Sequence, residues 1–277
     1  MACDGPREGR SGEAAKVAAC HALAEDIDWP CEVFTQFQAH NLGCRRGVIS
    51  AIDWFFRHEE LGIILEDDIL ADSSFFSFCA ELLELYRNEP RVMAITGCNF
   101  QPSERNYDHS YYFSTFNHVW GWASWRRAWE VYDKELTLLD RPEVRAAIEA
   151  QSDVLGFVDH WMYNFEAVRD GRIDSWAYGW MLSCWNAGGL TCTPRTNLIR
   201  NTGFGEDATH THNSDARQAN LVAGRIAFPL VHPDHIAQSR NLDDFVALHE
   251  YRIKPLSLSK RLKSKLRAAR RRIRSGS

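Results

Sequence analysis

The sequence lacks several features that would assign a chain of 277 residues to a class at once. No unbroken apolar run reaches the roughly 18 residues that cross a bilayer, so no membrane span is predicted. No two cysteines form a CxxC pair, which leaves zinc ribbons and thioredoxin-like motifs without support. The eight cysteines are too sparse for a disulfide scaffold, and no charged and then apolar leader opens the chain. These absences together predict a reduced, cytoplasmic protein.

Acidic residues are missing from the C-terminal end of the chain. Residues 251–277 contain 11 Lys or Arg, whereas the other 250 residues hold 21 basic and 37 acidic ones, a net charge of −16. Leu262, Leu266 and Ile273 form a narrow apolar stripe in this basic tail, which suits the surface of an anionic membrane. A disordered solubilising tail fits equally well, and the acidic body disfavours specific nucleic-acid binding. We therefore expect a cytoplasmic protein, with peripheral docking at the inner face of the membrane as one role of the tail.

What the sequence does contain is an alternation of strand-like and helix-like segments. With 45% hydrophobic residues, a chain of this length can bury a full core. Residues 61–65 are continuously apolar, as buried parallel strands are, and residues 31–37 and 92–96 are predicted as further strands. Residues 175–187 are predicted as a helix. The pattern predicts an α/β fold with a largely parallel sheet flanked by helices.

Three consecutive carboxylates, Glu66, Asp67 and Asp68, follow the strand predicted over residues 61–65. In open α/β sheets, ligands bind at the carboxyl ends of the strands. Adjacent carboxylates repel one another, and a divalent cation that carries a diphosphate would offset that repulsion. The alternative is a solvated acidic turn, but the position after a buried strand favours a functional site.

Two further segments carry polar groups suited to catalysis. Residues 201–212 are rich in glycine and present His210 and His212, and a histidine beside carboxylate and phosphate oxygens suits Mn²⁺ better than Mg²⁺ or Ca²⁺. Asp174 precedes a predicted helix, either as its cap or as a base that takes a proton from an acceptor hydroxyl. Trp176 and Trp180 share one face of that helix; exposed tryptophans stack on sugar rings, but most of the ten tryptophans are expected to lie in the core.

Taken in order, six segments resemble bacterial GT-A glycosyltransferases related to N-acetylglucosaminyltransferase I, a group of nucleotide-diphospho-sugar transferases. The resemblance implies a GT-A fold with a mixed sheet flanked by helices, in one catalytic domain over residues 1–250, followed by the basic tail 251–277. The nucleotide would bind within about residues 1–100 and the acceptor within about residues 101–250. The segments are Asp4-Gly5-Pro6, Asn41-Leu42-Gly43, residues 63–68, residues 119–129 with Tyr132-Asp133, Asp174-Ser175-Trp176, and residues 201–210.

The resemblance also implies a chemistry: inverting transfer of a sugar from a nucleotide-diphospho-sugar to a glycan or lipid-linked acceptor, with Mn²⁺ or Mg²⁺ on the diphosphate. Asp68 would be the direct metal ligand and His210 an additional one. Asp67 would lie near the ribose, and Glu66 would contact the sugar side. The roles implied for the remaining two residues are recognition of the nucleotide base by Asp4 and general-base catalysis by Asp174.

Two other functions remain open on the sequence. The resemblance implies a first βα unit before the turn at Asp4, and this sequence starts three residues before that turn. A sugar nucleotidyltransferase carries its glycine-rich signature in that region, so this class is not excluded. A non-catalytic glycan-binding pseudoenzyme is the other alternative.

Overall fold

The computed structural model describes residues 1–102, 108–203 and 221–254. Its helices are α1 to α8, and a short 3-10 helix spans Thr137–Asp140. The helices are α1 (Glu13–Ala22), α2 (Gly43–His58), α3 (Ser73–Leu85), α4 (Arg126–Trp129), α5 (Val144–Glu149), α6 (Phe157–Arg169), α7 (Ala177–Asn186) and α8 (Arg240–His249). The strands are β1 (Ala2–Cys3), β2 (Gln36–Phe37), β3 (Leu61–Ile64), β4 (Ile69–Ala71), β5 (Val92–Thr96), β6 (Tyr111–Ser114), β7 (Trp122–Trp125), β8 (Leu190–Pro194) and β9 (Ile199–Asn201).

The central sheet has five strands in the order β3-β7-β5-β8-β6, with helices packed around it. Among the described strands of this sheet, β5 and β8 are the one parallel pair; the pairs β3–β7, β5–β7 and β6–β8 are antiparallel. The predicted α/β class, with a mixed sheet flanked by helices, is confirmed. The prediction of a largely parallel sheet was wrong.

The strand β7 explains that error. The sequence offered β3 and β5 as consecutive parallel neighbours, but β7 lies between them and runs antiparallel to both. The segment that forms β7 lies within residues 119–129 of the family resemblance and was not predicted as a strand. β3 is therefore an edge strand, and β7 is its one partner among the described strands. The four residues of β3 are half-buried.

Two small sheets flank the central one. The strands β1 and β2 pair in parallel, and β2 is much shorter than the strand predicted over residues 31–37. The strands β4 and β9 pair antiparallel, with Ile69 opposite Asn201 and Ala71 opposite Ile199. This second pairing brings the segment after β3 next to the segment after β8.

Seven of the ten tryptophans are buried. We define the tryptophan cluster as Trp122, Trp129, Trp176 and Trp180. Ring centroids of Trp129 and Trp180 are 5.2 Å apart, and those of Trp122 and Trp176 are 5.6 Å apart. The cluster packs against Ile52 and Phe56, so it joins α2 to α7.

All eight cysteines lie within the described residues, and all eight are free. Within the described residues, no helix combines the length and the apolar character needed to cross a membrane. The basic stretch from residue 255 onward lies outside these residues, so its docking to an anionic surface stays a prediction. The beginning of the predicted tail is part of the body, since Ile253 is buried in the main core.

Candidate functional site at one edge of the sheet

The carboxyl ends of three strands lie along one side of the central sheet, and we refer to that side as the carboxyl edge. Since β3 and β5 both run antiparallel to β7, and β8 runs parallel to β5, all three point the same way. Glu66, Asp67 and Asp68 follow β3 and therefore lie at that edge. It is the edge where α/β sheets bind their ligands, as the sequence predicted.

Two of the three carboxylates have raised pKa values. Burial, and then the charges of Asp68 and Asp67, raise the pKa of Glu66 to about 7. Burial and the charge of Asp67 likewise raise the pKa of Asp68, although a hydrogen bond with Asn201 opposes the shift. Glu66 and Asp68 are thus held where their anionic forms are destabilised. A bound cation would reverse this effect.

The segment after β9 lies against Asp68. Both the backbone N–H and the hydroxyl of Thr202 donate to the Asp68 carbonyl, at 2.8 and 3.0 Å. A Cβ at Gly203 would lie only 2.1 Å from Asp68 Oδ2, so this close approach requires glycine. The structure therefore brings together Asp68 and the start of the segment that carries His210. His210 itself lies outside the described residues, and its role as a metal ligand stays a prediction.

Asp4 caps the N-terminus of α2. Its carboxylate accepts hydrogen bonds from the backbone N–H of Leu42 at 2.8 Å and of Gly43 at 3.1 Å. Asn41 donates in return to the Gly5 carbonyl at 3.1 Å. A Cβ at Gly5 would lie 2.5 Å from backbone atoms of His40, so only glycine fits there. The two segments of the sequence resemblance that hold Asp4 and Gly43 are thus bound to each other, and base recognition by Asp4 stays a prediction.

Replacing Asp4 by alanine is expected to lower the free energy of unfolding by about 1–2 kcal/mol, because two N–H groups of α2 lose their acceptor. Asp4→Asn keeps an acceptor oxygen and should cost less. Urea denaturation followed by far-ultraviolet circular dichroism measures both effects. The matched control is Asp28→Ala, at an exposed position, which should stay within about 0.5 kcal/mol of the unchanged chain. Equal stabilities of the Asp4→Ala and Asp28→Ala proteins would contradict the cap.

Asp174 lies at the same helix end. Its Oδ1 accepts from the backbone N–H of Arg45 at 3.2 Å, and a Cβ at Gly43 would lie 3.4 Å from its Oδ2. The sequence allowed Asp174 to cap the helix that follows it; instead α7 begins at Ala177 with no side-chain cap, and Asp174 caps α2. The residue is exposed, so its carboxylate is open to a substrate. Its role as general base stays a prediction.

Two thiols each lie near carboxylates of both groups, those that follow β3 and those at the start of α2. Burial, and then the charges of Glu66 and Asp174, raise the pKa of Cys44 to about 11. Burial and the charges of Cys20, Asp4 and Asp67 raise the pKa of Cys3. Sequence analysis did not single out Cys44. Its place directly after Gly43, at the start of a predicted helix, was the available signal.

Trp176, at the N-cap of α7, and Trp180, within α7, both lie in the core. Trp176 is 3% exposed and Trp180 is 0% exposed, so neither presents a face to a sugar. Trp176 is instead held by the cluster and by a hydrogen bond of 2.9 Å from the Tyr132 hydroxyl to its carbonyl. These contacts fix the backbone just after Asp174 and thereby its position against α2.

The described carboxylates match the way in which Mg²⁺ and similar cations bind together with substrate phosphates. Among the residues that the structure describes, no group of three or more His, Cys, Asp or Glu side chains is arranged to hold a metal ion. Mg²⁺ and similar hard cations are often held by one or two carboxylates, with substrate phosphates and water completing the shell. Asp68 and its neighbours fit that mode. No protein-family model and no curated protein matches the chain.

Proposed function

We propose that this protein is a metal-dependent glycosyltransferase with a GT-A fold. It moves a sugar from a nucleotide-diphospho-sugar to a hydroxyl of a glycan or lipid-linked acceptor, with inversion. The observation that carries the proposal is the meeting of carboxylates at one place: Glu66, Asp67 and Asp68 at the sheet edge, with Asp4 and Asp174 on the adjacent end of α2.

The electrostatics of these residues support a cation-dependent ligand. Burial and mutual repulsion keep the pKa of Glu66 near 7 and raise that of Asp68, which stores an unfavourable energy that a cation would relieve. Asp68, packed against the backbone at Gly203, would hold Mn²⁺ or Mg²⁺ together with diphosphate oxygens. When bound, the metal ion supplies stabilisation of the negative charge on the leaving diphosphate.

The chain's own residues would supply orientation and proton transfer. Asp174 is exposed and fixed by the Arg45 N–H and the tryptophan cluster, as a base that takes a proton from an acceptor hydroxyl must be. Asp67 is exposed beside Asp68 and would accept from ribose hydroxyls, and Glu66 would contact the sugar. Asp4 would contact the nucleotide base with lone pairs that its backbone contacts leave available.

The test is calorimetric titration of the chain with uridine, guanosine, adenosine, cytidine and thymidine diphosphates, each with Mn²⁺ and with a chelator. We expect at least one nucleoside diphosphate to bind about tenfold or more tightly with Mn²⁺. The matching nucleotide-sugar should be hydrolysed slowly, because water can replace a missing acceptor.

Titrations with nucleoside triphosphates and with glycans, run in the same way, separate the alternatives. A nucleotidyltransferase would bind a nucleoside triphosphate and release pyrophosphate on addition of a sugar phosphate. A pseudoenzyme would bind glycans without any metal-dependent affinity for nucleotides. Either result would overturn the proposal.

A further inference from the structure

A basic pocket of about 260 Å³ lies along α2. One wall is a single face of that helix, because its residues there recur at helical spacing: Arg46, Ser50, Asp53 and Arg57. The segment after α4 forms the other wall, at residues 134 and 135. Cations outnumber carboxylates in the lining, whereas residues 1–250 as a whole carry a net charge of −16. The pocket is therefore a local excess of positive charge on an acidic body.

The two carboxylates of the basic pocket do little to cancel its arginines. Asp53 accepts from the indole N–H of Trp129 at 2.8 Å with one oxygen, and its other oxygen pairs with the Lys134 ammonium. The Glu135 side chain is 83% exposed, and its ion pair with Arg45 spans 3.9 Å, where water screens the attraction. The carboxylates thus neutralise Lys134 and leave most of the arginine charge uncompensated.

The three arginines of the pocket have N–H donors left over for a ligand. Arg46 and Arg57 are exposed, and their guanidinium groups form no ion pair or hydrogen bond with the residues that the structure describes. The Arg45 side chain is 19% exposed and is held in place by donating to the Lys134 carbonyl with one of its nitrogens. Each guanidinium carries five N–H groups in a rigid fork that matches the oxygens of a phosphate.

Ser50 adds a donor of another kind between these arginines. Its hydroxyl oxygen accepts from the side-chain amides of Gln36 at 3.3 Å and Gln38 at 3.2 Å. Because both lone pairs are used in this way, the O–H can only donate, and it meets no acceptor within the described part of the chain. Apart from the exposed Glu135 carboxylate, the polar groups that the pocket leaves unused are donors, which suits an oxyanion.

A phosphate fits these donors better than a carboxylate does. A phosphate carries up to two negative charges and at least three acceptor oxygens in different directions, so guanidinium forks and a hydroxyl can bind it together. A carboxylate is filled by one fork through its two oxygens. Arg46 and Arg57 are about three helical turns apart, so a phosphate beside Ser50 lies between their charges.

We propose that the basic pocket binds the phosphate group of a lipid-linked acceptor. Arg45 connects the pocket with the candidate site, because its backbone N–H donates to Asp174 at 3.2 Å while its side chain lines the pocket. A phosphate held there lies next to the residue that would activate the acceptor hydroxyl. The assignment to the acceptor rests on the proposed function, whereas the binding of a phosphate rests on the pocket alone.

Phosphorus-31 nuclear magnetic resonance tests the phosphate site on the full chain. The probes are inorganic phosphate and glucose 1-phosphate, with a chelator present so that no metal ion contributes. We expect both to bind, and the double variant Arg46→Gln/Arg57→Gln to bind them about tenfold or more weakly. The matched control, Arg10→Gln/Arg195→Gln, removes two charges at exposed positions outside the pocket and should leave the affinity within about twofold. Absence of binding, or equal affinities of the two double variants, would overturn the inference.

Vesicles distinguish the phosphate of a lipid from a soluble one. The probes are vesicles of phosphatidylcholine with and without phosphatidic acid, sedimented with each double variant. The basic tail is the same in both variants, so its attraction to an anionic surface cancels in the comparison. We expect the pocket variant to bind the phosphatidic acid vesicles at least about fivefold more weakly than the control variant. Equal sedimentation, with glucose 1-phosphate binding lost in the pocket variant, would overturn the lipid assignment and leave a site for a soluble phosphate.

Titration with nucleoside diphosphates and Mn²⁺ distinguishes this inference from the proposed function. A chain that binds phosphate through the basic pocket but binds no nucleoside diphosphate with Mn²⁺ keeps the phosphate site and loses the glycosyltransferase, and with it the acceptor. A chain that binds a nucleoside diphosphate with Mn²⁺, but whose two double variants bind phosphate equally, keeps the enzyme and loses the phosphate site.

Discussion

Asp68→Asn should abolish the dependence of nucleotide binding on Mn²⁺, with a loss of at least about 100-fold in affinity at saturating metal. The substitution keeps the shape of the side chain and an acceptor for its contact with Asn201, but removes the charge that would hold the cation. Calorimetric titration with and without a chelator measures the effect directly. Asp26→Asn, at an exposed position far from the carboxylates in sequence, is the matched control.

The same substitution should have the opposite effect on stability. Removing one of three repelling charges lets the pKa of Glu66 return toward its ordinary value, since Asp68 is the larger of the two charges that raise it. Without metal, we therefore expect Asp68→Asn to unfold at an equal or higher urea concentration than the unchanged chain, by up to about 1 kcal/mol. If Asp68 had a merely structural role, the Asp68→Asn protein would instead be less stable than the unchanged chain. Unchanged Mn²⁺-dependent affinity together with lost stability would refute the metal-ligand role.

The position of the acidic residues could be predicted from the sequence because it depends on a local pattern. A short apolar run followed by charge is sufficient to predict a strand that ends at a sheet edge, and Glu66 to Asp68 lie at such an edge. The order and direction of the strands are not local properties. The strand β7 is 58 residues beyond β3 in the chain by its paired residues Ile64 and Trp122, and nothing between them specifies that it inserts beside β3.

For the candidate site, the sequence predicted the place of each residue relative to its own strand or helix, but not the contacts between residues of different segments. Asp4 and Leu42 are 38 residues apart, and Asp174 and Arg45 are 129 apart, so neither contact follows from spacing. Helical spacing left the role of Trp176 and Trp180 open between core packing and sugar stacking, because periodicity shows which residues share a face and not what covers it.

The largest loss of stability is expected from Trp180→Ala. The Trp180 side chain is fully buried, with its ring 5.2 Å from that of Trp129 and 5.9 Å from that of Trp122. Removing it leaves a cavity between α7 and the rest of the tryptophan cluster, which should cost about 3–5 kcal/mol. In a chain of this size, the melting temperature should fall by roughly 6–20 °C. Urea and thermal unfolding followed by far-ultraviolet circular dichroism measure the change.

Two comparisons show whether the loss comes from packing. Trp29→Ala removes the same atoms at a position that is 61% exposed, and should stay within about 0.5 kcal/mol of the unchanged chain. Trp180→Phe keeps most of the ring and also removes an indole N–H that is buried without a partner among the described residues, so it should cost far less than alanine. Equal stabilities of the Trp180→Ala and Trp29→Ala proteins would mean that the cluster does not hold α2 and α7 together. The position of Asp174 against α2 would then need another explanation, because the cluster is what fixes the backbone that follows it.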